Sequence, residues 1–269
     1  MNLDVIAVAA LTLVLTWLLW FGWTVVRGYV RSRWWRALRV LIAFAVASVV
    51  VGALTCALIN ARTVQLVGDH VTRVDTAHRV VALTFDDGPD DLYVSELIAL
   101  LKRFDARGTF YVDGAEAAAH PLALRSLIVS GQEIGNHSSR HGRLVFVSTA
   151  TGRRELEAAD AVIREAGFAG RITFRPPQAR KLLSLPWVLW RDRRTTVMWD
   201  LAPDSPSPAG DAAAMARDVA DRVRPGSIIQ LRPWHPGNVA TREALPLILS
   251  ELRARGYGFV TVSELLDLR

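Results

Sequence analysis

Two long segments near the start of the chain are apolar and carry no charge. Residues 5–26 and 40–59 run for 22 and 20 residues without a charged side chain. A helix of about 20 apolar residues spans the hydrocarbon core of a bilayer, so the pattern predicts two transmembrane helices. A cleaved signal peptide is the alternative for the first segment. The start MNLD, which has an acid and no Lys or Arg, and the length of the run disfavour it.

From residue 80 onward, short apolar runs alternate with segments of helical period. Apolar side chains recur every three to four residues in VSELIALLKRF, PLALRSLIVSG, RRELEAADAVIREAG, AAAMARDVADRV and REALPLILSELRARG. Seven runs have the length of buried strands: 80–85, 108–112, 133–136, 171–174, 195–199, 227–231 and 258–262. Strands that alternate with helices are typical of a parallel sheet covered by helices. The pattern predicts an α/β fold, a distorted (β/α) barrel over 80–269, preceded by a tether or short surface hairpin at 61–79.

The loop between the two apolar segments sets the predicted orientation. Residues 27–39 read RGYVRSRWWRALR, with five arginines and two adjacent tryptophans. Short loops rich in Lys and Arg stay in the cytoplasm, and tryptophan favours the headgroup region. We therefore expect the loop inside and the domain outside the cytoplasmic membrane. Of the 32 basic residues, the 27 outside this loop are nearly balanced by 25 acidic residues in 61–269, so the charge does not indicate a nucleic-acid partner.

The single cysteine, Cys56, lies in the second apolar segment. A domain on the outer face without cysteine cannot use a disulfide, but about 190 residues suffice to bury a core. A lipid anchor fits Cys56 poorly, because the residue lies deep in the segment directly after Thr55. The pattern predicts a packed thiol, and it predicts no oligomeric state.

Polar clusters follow five of the predicted strands. In chain order they are DDGP, NHSSRH, RPPQ, DLAPD and RPWH. In barrels of parallel strands, the chemistry collects where strands end and loops begin. We therefore expect these five clusters to converge on one rim.

Two histidines and a carboxylate suggest a metal site on that rim. His137 and His141 are four residues apart, so one turn of chain can direct both imidazoles the same way. A polar surface loop is the alternative for the pair alone. Together with Asp87 from a neighbouring strand end, they form a ligand set for a catalytic divalent cation. Zinc is the expected metal, with cobalt or another divalent ion as alternatives.

The adjacent carboxylates of Asp86 and Asp87 end a strand that is otherwise apolar. An Asx turn or a helix N-cap is the alternative interpretation of DDGP alone. Beside a bound cation, one carboxylate can serve as ligand while its neighbour stays ionised and accepts a proton from water.

The segments TFDDGP, HSSRH and FRPP, in this order, resemble the first three motifs of the polysaccharide deacetylase family, also called NodB-homology domains or carbohydrate esterase family 4. The resemblance covers about residues 80–268 and includes GTFYVDG, GQEIGNHS and ELRARGYGFVTVSELL. It implies hydrolysis of N-acetyl groups from an amino-sugar polymer, such as peptidoglycan or a chitin-like oligomer, on a distorted barrel that uses a divalent metal.

The resemblance also implies residue roles. Asp86 matches the family's catalytic base, and Arg175 matches the arginine that orients this base. The metal ligands it implies are Asp87, His137 and His141. Pro176 and Pro177 match the residues of the groove wall. Gln178 occupies the position whose backbone N–H, in the family, helps to hold the oxyanion.

The sequence departs from the family pattern at three places. Gln178 and Ala179 stand where an aromatic residue and glycine are usual, so substrate stacking is expected to differ. The fourth motif is replaced by DLAPDSP, which offers Asp200 and Asp204 but no tryptophan. Arg232 stands where the fifth motif has the histidine that acts as general acid.

A guanidinium is a poor proton donor at neutral pH, so the function of Arg232 must differ from that of a histidine. It could stabilise the oxyanion or bind an anionic group of the substrate. Three residues on, His235 has the right chemistry to replace the acid. A residue of a surface loop is the equal alternative for His235.

Three functions remain open from the sequence. The first is a metal-dependent N-deacetylase acting on an N-acetylated glycan at the cell envelope. The second is a glycan-binding homologue that lost turnover with its acid, and the third is a metal-dependent O-acetyl esterase. Release of acetate together with free amine would indicate the N-deacetylase. Glycan binding without release of either product would indicate the glycan-binding homologue, and release of acetate without amine would indicate the esterase.

Overall fold

The computed structural model describes residues 16, 17, 20, 33–204 and 211–269, and the chain divides into two compact units, Met1–Val64 and Gln65–Arg269. Helix α1, Arg33–Asn60, contains the second predicted apolar span. Its part Ala37–Asn60 has a mean hydropathy of 2.5 and is, among the described residues, the one helix long and apolar enough to cross a membrane. The first predicted span lies outside the described residues except for Thr16, Trp17 and Trp20, so two spans are not established.

Seven strands, all pairing in parallel, are described in the second unit. They are β1 His70–Val71, β2 Val80–Gly88, β3 Gly108–Val112, β4 Glu133–Asn136, β5 Thr196–Val197, β6 Ile228–Leu231 and β7 Gly258–Phe259. The main sheet has the order β4-β3-β2-β6, with β7 also paired to β2, while β1 pairs with β5. Single bridges from Phe174 to Asn136 and Thr196, and from Leu201 to Ile229, connect the two sheets. The α/β fold with parallel strands is as predicted, and it is consistent with a distorted barrel.

Helices cover this sheet. They are α2 Val94–Arg103, α3 Gly114–Ala119, α4 Pro121–Val129, α5 Thr149–Glu165, α6 Ser184–Arg191, α7 Ala212–Arg222, α8 Val239–Ala254 and α9 Val262–Leu266, with a 3-10 turn at Pro177–Ala179. The core lies between helices and strands, where for example the rings of Phe85 and Phe110 stack at 4.7 Å. Phe85 of β2 lies opposite Phe110 of β3, and burial of this ring pair fixes the register of the strand that carries the paired aspartates.

The strands differ most from the sequence prediction at four places. The predicted strand 195–199 covers only Thr196–Val197. The predicted strand 171–174 is reduced to a bridge at Phe174, and Pro176 and Pro177, which lack N–H groups, prevent the pairing from extending beyond it. The predicted strand 258–262 ends at Phe259, since Thr261 and Glu264 form a capping box that begins α9. Strand β1 lies in the segment predicted as a tether, and its two residues are too few to give a periodic signal.

Candidate active site

The carboxyl ends of neighbouring strands bring polar side chains to one rim of the sheet. Asp86 lies near the end of β2, His137 directly follows β4, and Arg175 follows the bridge at Phe174. Because these strands run parallel, their ends meet at the same rim. A cavity of about 390 Å³ opens there, a volume typical of small-molecule sites. Its lining residues are Asp86, Asp87, His137, His141, Pro176, Gln178, Ala179, Trp199, Gln230 and Arg232.

Asp87, His137 and His141 form a group whose ligand atoms lie within 4.8 Å of one another. Asp87 Oδ1 is 3.3 Å from His137 Nε2 and 3.5 Å from His141 Nδ1. Ligands that share a tetrahedral cation at bond lengths of about 2.1 Å are separated by about 3.4 Å. His137 Nδ1 lies 2.8 Å from the carbonyl oxygen of Arg175 and donates to it, which leaves Nε2 as the ligand atom. The donor set therefore fits a divalent cation.

The charges of the triad reinforce one another. Burial alone would raise the pKa of Asp87, but hydrogen bonding to His137 and the nearby positive charges hold it below its usual value. Burial opposes protonation of His137, yet Asp87 and the charges of Asp86 and Asp113 raise the pKa of His137 to about 9. A hydrogen bond to Asp113 raises the pKa of His141. A cation that binds here must therefore displace protons.

Asp113 belongs to the site and was missed by the sequence analysis. It directly follows β3, and its Oδ2 lies 3.3 Å from His141 Nδ1. Its Oδ1 is buried without a hydrogen-bond partner among the described residues. The signal was present, because Asp113 occupies the strand-end position in GTFYVDG that DDGP and NHSSRH occupy on their own strands.

Asp86 is buried and is held by two donors. Arg175 Nη1 donates to its Oδ1 at 2.6 Å, and Gln230 Nε2 donates to its Oδ2 at 2.5 Å. Arg175 is fully buried, and it also donates to Thr84 and to the carbonyl oxygens of Val197 and Met198. Because four acceptors fix the guanidinium, the orientation of the Asp86 carboxylate is also fixed.

Left-handed backbone conformations concentrate at this rim. Of the seven residues other than glycine with positive φ among those described, five lie here: Asp87, Ser138, His141, Gln178 and Ala179. Such conformations cost energy for residues with a Cβ and are often found at active sites. The turn at Gln178 leaves its backbone N–H without an acceptor among the described residues, since Ala179 and Arg180 take the carbonyl oxygens of Pro176 and Pro177. This N–H is suited to hold an oxyanion.

Arg232 connects the cavity to a second, wider cleft. Asp204 accepts from the Arg232 backbone N–H at 2.8 Å and pairs with its guanidinium at 3.3 Å. Burial raises the pKa of Asp204, and the positive charge of Arg232 opposes this rise. The cleft is also lined by Asp87 and His235, and His235 is exposed with its Nδ1 3.3 Å from the Gly237 N–H. Among the described residues, His235 does not line the inner cavity with the triad.

The two acids of the altered fourth motif face different surroundings. Asp200 accepts from Ser227 Oγ and from the Ile228 N–H, so it supports the strand and does not line the cavity. Asp204 lines the cleft itself and pairs there with Arg232. Sequence reasoning also missed Trp199 and Gln230 in the cavity wall. A glutamine inside the apolar run IIQL was the available signal for Gln230.

Comparisons with known proteins agree with the motifs. A family model described as polysaccharide deacetylase matches residues 73–187. A peptidoglycan-N-acetylglucosamine deacetylase of Bacillus cereus is 30% identical over 195 residues, which cover 72% of this chain and 91% of that protein. A family 4 acetyl xylan esterase from Clostridium thermocellum, solved with a cobalt ion, has a TM-score of 0.63 at 33% identity and covers 70% of this chain and 91% of its own. A CE4 family pseudoenzyme from Bacillus anthracis has a TM-score of 0.68 at 23% identity, covers 75% of this chain and 70% of its own, and shows a likeness of fold alone.

Proposed function

The chain belongs to the polysaccharide deacetylase family, and on this premise we propose that it hydrolyses N-acetyl groups of an amino-sugar polymer in a metal-dependent reaction. The observation that carries the proposal is the arrangement of Asp86 beside Asp87, His137 and His141 in one cavity. Peptidoglycan is the proposed substrate, since the Bacillus cereus relative is named for it. A chitin-like oligomer offers the same acetamido group.

Asp87, His137 and His141 would hold the cation. A divalent cation bound there supplies Lewis acidity, which makes water a nucleophile at neutral pH and polarises an amide carbonyl. We propose zinc, with cobalt as a working substitute. The support for a metal is the spacing of the three ligand atoms and the hydrogen bond that fixes His137.

Different residues of the chain transfer the protons and stabilise the charges of the reaction. Asp86 accepts the proton of the attacking water, and Arg175 with Gln230 keeps its carboxylate in place. The Gln178 N–H stabilises the oxyanion, and Pro176 shapes the wall beside it. The leaving amine needs a proton, and we propose His235 as its donor. Arg232 contributes a fixed positive charge between the inner cavity and the outer cleft.

Measured products test this function directly. The full chain in detergent is treated with a chelator, reloaded with zinc or cobalt, and incubated with N-acetylated chito-oligomers and with peptidoglycan. We expect acetate and free amine in equal amounts, only after reloading. Acetate from O-acetylated glycan without amine would support the esterase, and glycan binding without any release would support the glycan-binding homologue.

We further propose that the chain is anchored in the cytoplasmic membrane by two helices, with its catalytic unit on the outer face. Helix α1 supports one span by its length and hydropathy, and the five arginines at 27–39 support a cytoplasmic loop. A reporter that is active only outside the cytoplasm, fused after Arg269, should give a signal. A silent reporter together with an active cytoplasmic one would reverse the orientation.

A further inference from the structure

Gln230 is an uncharged amide buried in a strand of apolar residues. Its side chain lines the cavity beside Asp86, and the residue is 4% exposed. Its neighbours in β6 are Ile228, Ile229 and Leu231, all buried. Burying a polar amide costs free energy unless its atoms find hydrogen-bond partners. Both the N–H and the oxygen of this amide therefore require hydrogen-bond partners.

The amide can face Asp86 in one orientation only. Nε2 lies 2.5 Å from Asp86 Oδ2 and donates to it. The reversed amide would set Oε1 against a carboxylate oxygen, two acceptors without a proton between them. Oε1 is therefore the end that does not contact the base. Within residues 33–204 and 211–269, no group donates to this buried oxygen.

The hydrogen bond to Asp86 makes Oε1 a stronger acceptor. An amide that donates to a carboxylate is polarised, and its carbonyl oxygen gains negative charge. The same side chain thus holds the proposed base at one end and offers an acceptor at the other. Because Gln230 lines the cavity, a substrate bound there lies beside the side chain that carries this acceptor.

We propose that Gln230 is a specificity-determining residue, which accepts a hydrogen bond from a donor carried by the acyl group or amide of the substrate. The inference rests on the proposed function for the kind of substrate. Two groups could supply the donor: the N–H of the scissile amide, or a hydroxyl on the acyl group, as in a hydroxyacetyl amide. A simple acetyl ester has neither, so its binding leaves the buried Oε1 without a partner.

The test compares Gln230→Met with the natural protein on three metal-dependent reactions. Methionine has a similar length but neither donates nor accepts strongly. The substrates are an N-acetyl oligomer, the matching N-hydroxyacetyl oligomer and an O-acetyl ester. Gln230→Met loses the N–H that donates to Asp86, and this loss should lower kcat/KM by the same factor for all three substrates, because all three reactions use the same base. Losing the acceptor lowers kcat/KM only for substrates with the donor, by about 10-fold or more beyond that factor.

The pattern identifies the source of the donor. If the amide N–H is the donor, both N-acyl substrates lose rate relative to the ester. If an acyl hydroxyl is the donor, the hydroxyacetyl oligomer alone loses rate relative to the acetyl oligomer. Equal factors for all three substrates would overturn the inference. Gln132→Met is the matched control, because Gln132 is also buried but hydrogen bonds the Gly108 N–H away from the cavity, and it should leave the ratios unchanged.

Binding separates this inference from the proposed function. Calorimetry on metal-free protein gives the Kd of both N-acyl oligomers for the natural chain, Gln230→Met and Gln132→Met. We expect several-fold weaker binding of a donor-bearing oligomer to Gln230→Met only. That result with an inactive natural chain would reject the proposed function and keep the role of Gln230. Equal Kd values for all three proteins would overturn the role of Gln230, whatever the turnover.

Discussion

The inner cavity and the outer cleft are built in different ways. In the cavity, Asp86 and Arg175 are buried, belong to strand ends, and have each polar end held by a neighbouring strand. In the cleft, Arg232 is one-third exposed and His235 belongs to an exposed loop, where its imidazole accepts from the Gly237 N–H of the same loop. The cavity is thus fixed by the register of the sheet, whereas the cleft depends on local loop conformation. The groups that hold the base and the metal ligands are therefore fixed by the sheet, whereas the position of the proposed proton donor His235 depends on the conformation of its loop.

The largest expected effect is the loss of the cation from the cavity. His137→Ala leaves two ligands and frees the Arg175 carbonyl oxygen that held the imidazole, so stoichiometric metal and activity should disappear together. Elemental analysis of purified protein and acetate release measure the two quantities. One bound metal per chain in this variant would contradict the ligand assignment.

The next effect separates the base from the metal site. Asp86→Asn should keep the metal and reduce kcat by about 10²- to 10⁴-fold, since the carboxamide cannot accept the proton of water. Asp200→Asn is the control, because Asp200 is an aspartate that supports the Ile228 N–H and does not line the cavity. Asp200→Asn should change the free energy of unfolding more than it changes kcat. Equal losses of kcat in both variants would mean that Asp86 has only a structural role.

A smaller effect tests whether the cleft supplies the acid. If His235 donates the proton to the leaving amine, His235→Ala should lower kcat by about 100-fold, while Arg232→His should keep or raise it. The opposite result, a neutral His235→Ala and a new activity in Arg232→His, would show that the acid was lost. The chain would then be better described as a glycan-binding homologue.

The smallest effect is the pH dependence of metal binding in the cavity. The pKa of His137 is raised to about 9, so at neutral pH the metal-free site holds a proton that the cation must displace. Because the protonated form predominates below this pKa, apparent affinity should rise about tenfold per pH unit between pH 6 and 8 and level off above pH 9. Competition with a chelator of known affinity measures it. A flat profile would contradict the raised pKa.

The sequence predicted most of the cavity and little of the cleft. The cavity is built from strand ends, which have a sequence pattern, whereas the cleft is built largely from loops, which have none. Strand periodicity put Asp87 and His137 at one rim, and the structure brings their ligand atoms together. It did not find Gln230, because one polar residue in an apolar strand has no distinctive period. It could not locate His235 relative to the cavity, because a loop after a strand has no periodicity from which its direction follows.

Strand assignment failed where backbone partners decided the outcome. The run 171–174 has the composition of a strand, but its pairing stops at Phe174 before two prolines. His70–Val71 is a strand only because β5 offers a partner to it. Composition describes what a segment buries, and it cannot describe which neighbour is free to pair.

The residues with left-handed backbone conformation around the triad also limit how the protein can be stabilised by substitution. Ser138 and Ala179 have φ values of 74° and 61°, which glycine adopts without steric cost. Glycine at either position would relieve this local cost, but it would also let the turn that carries a metal ligand or the oxyanion donor sample other conformations. Selection for thermal stability alone would therefore favour substitutions that loosen the active site, so activity must be monitored along with the melting temperature.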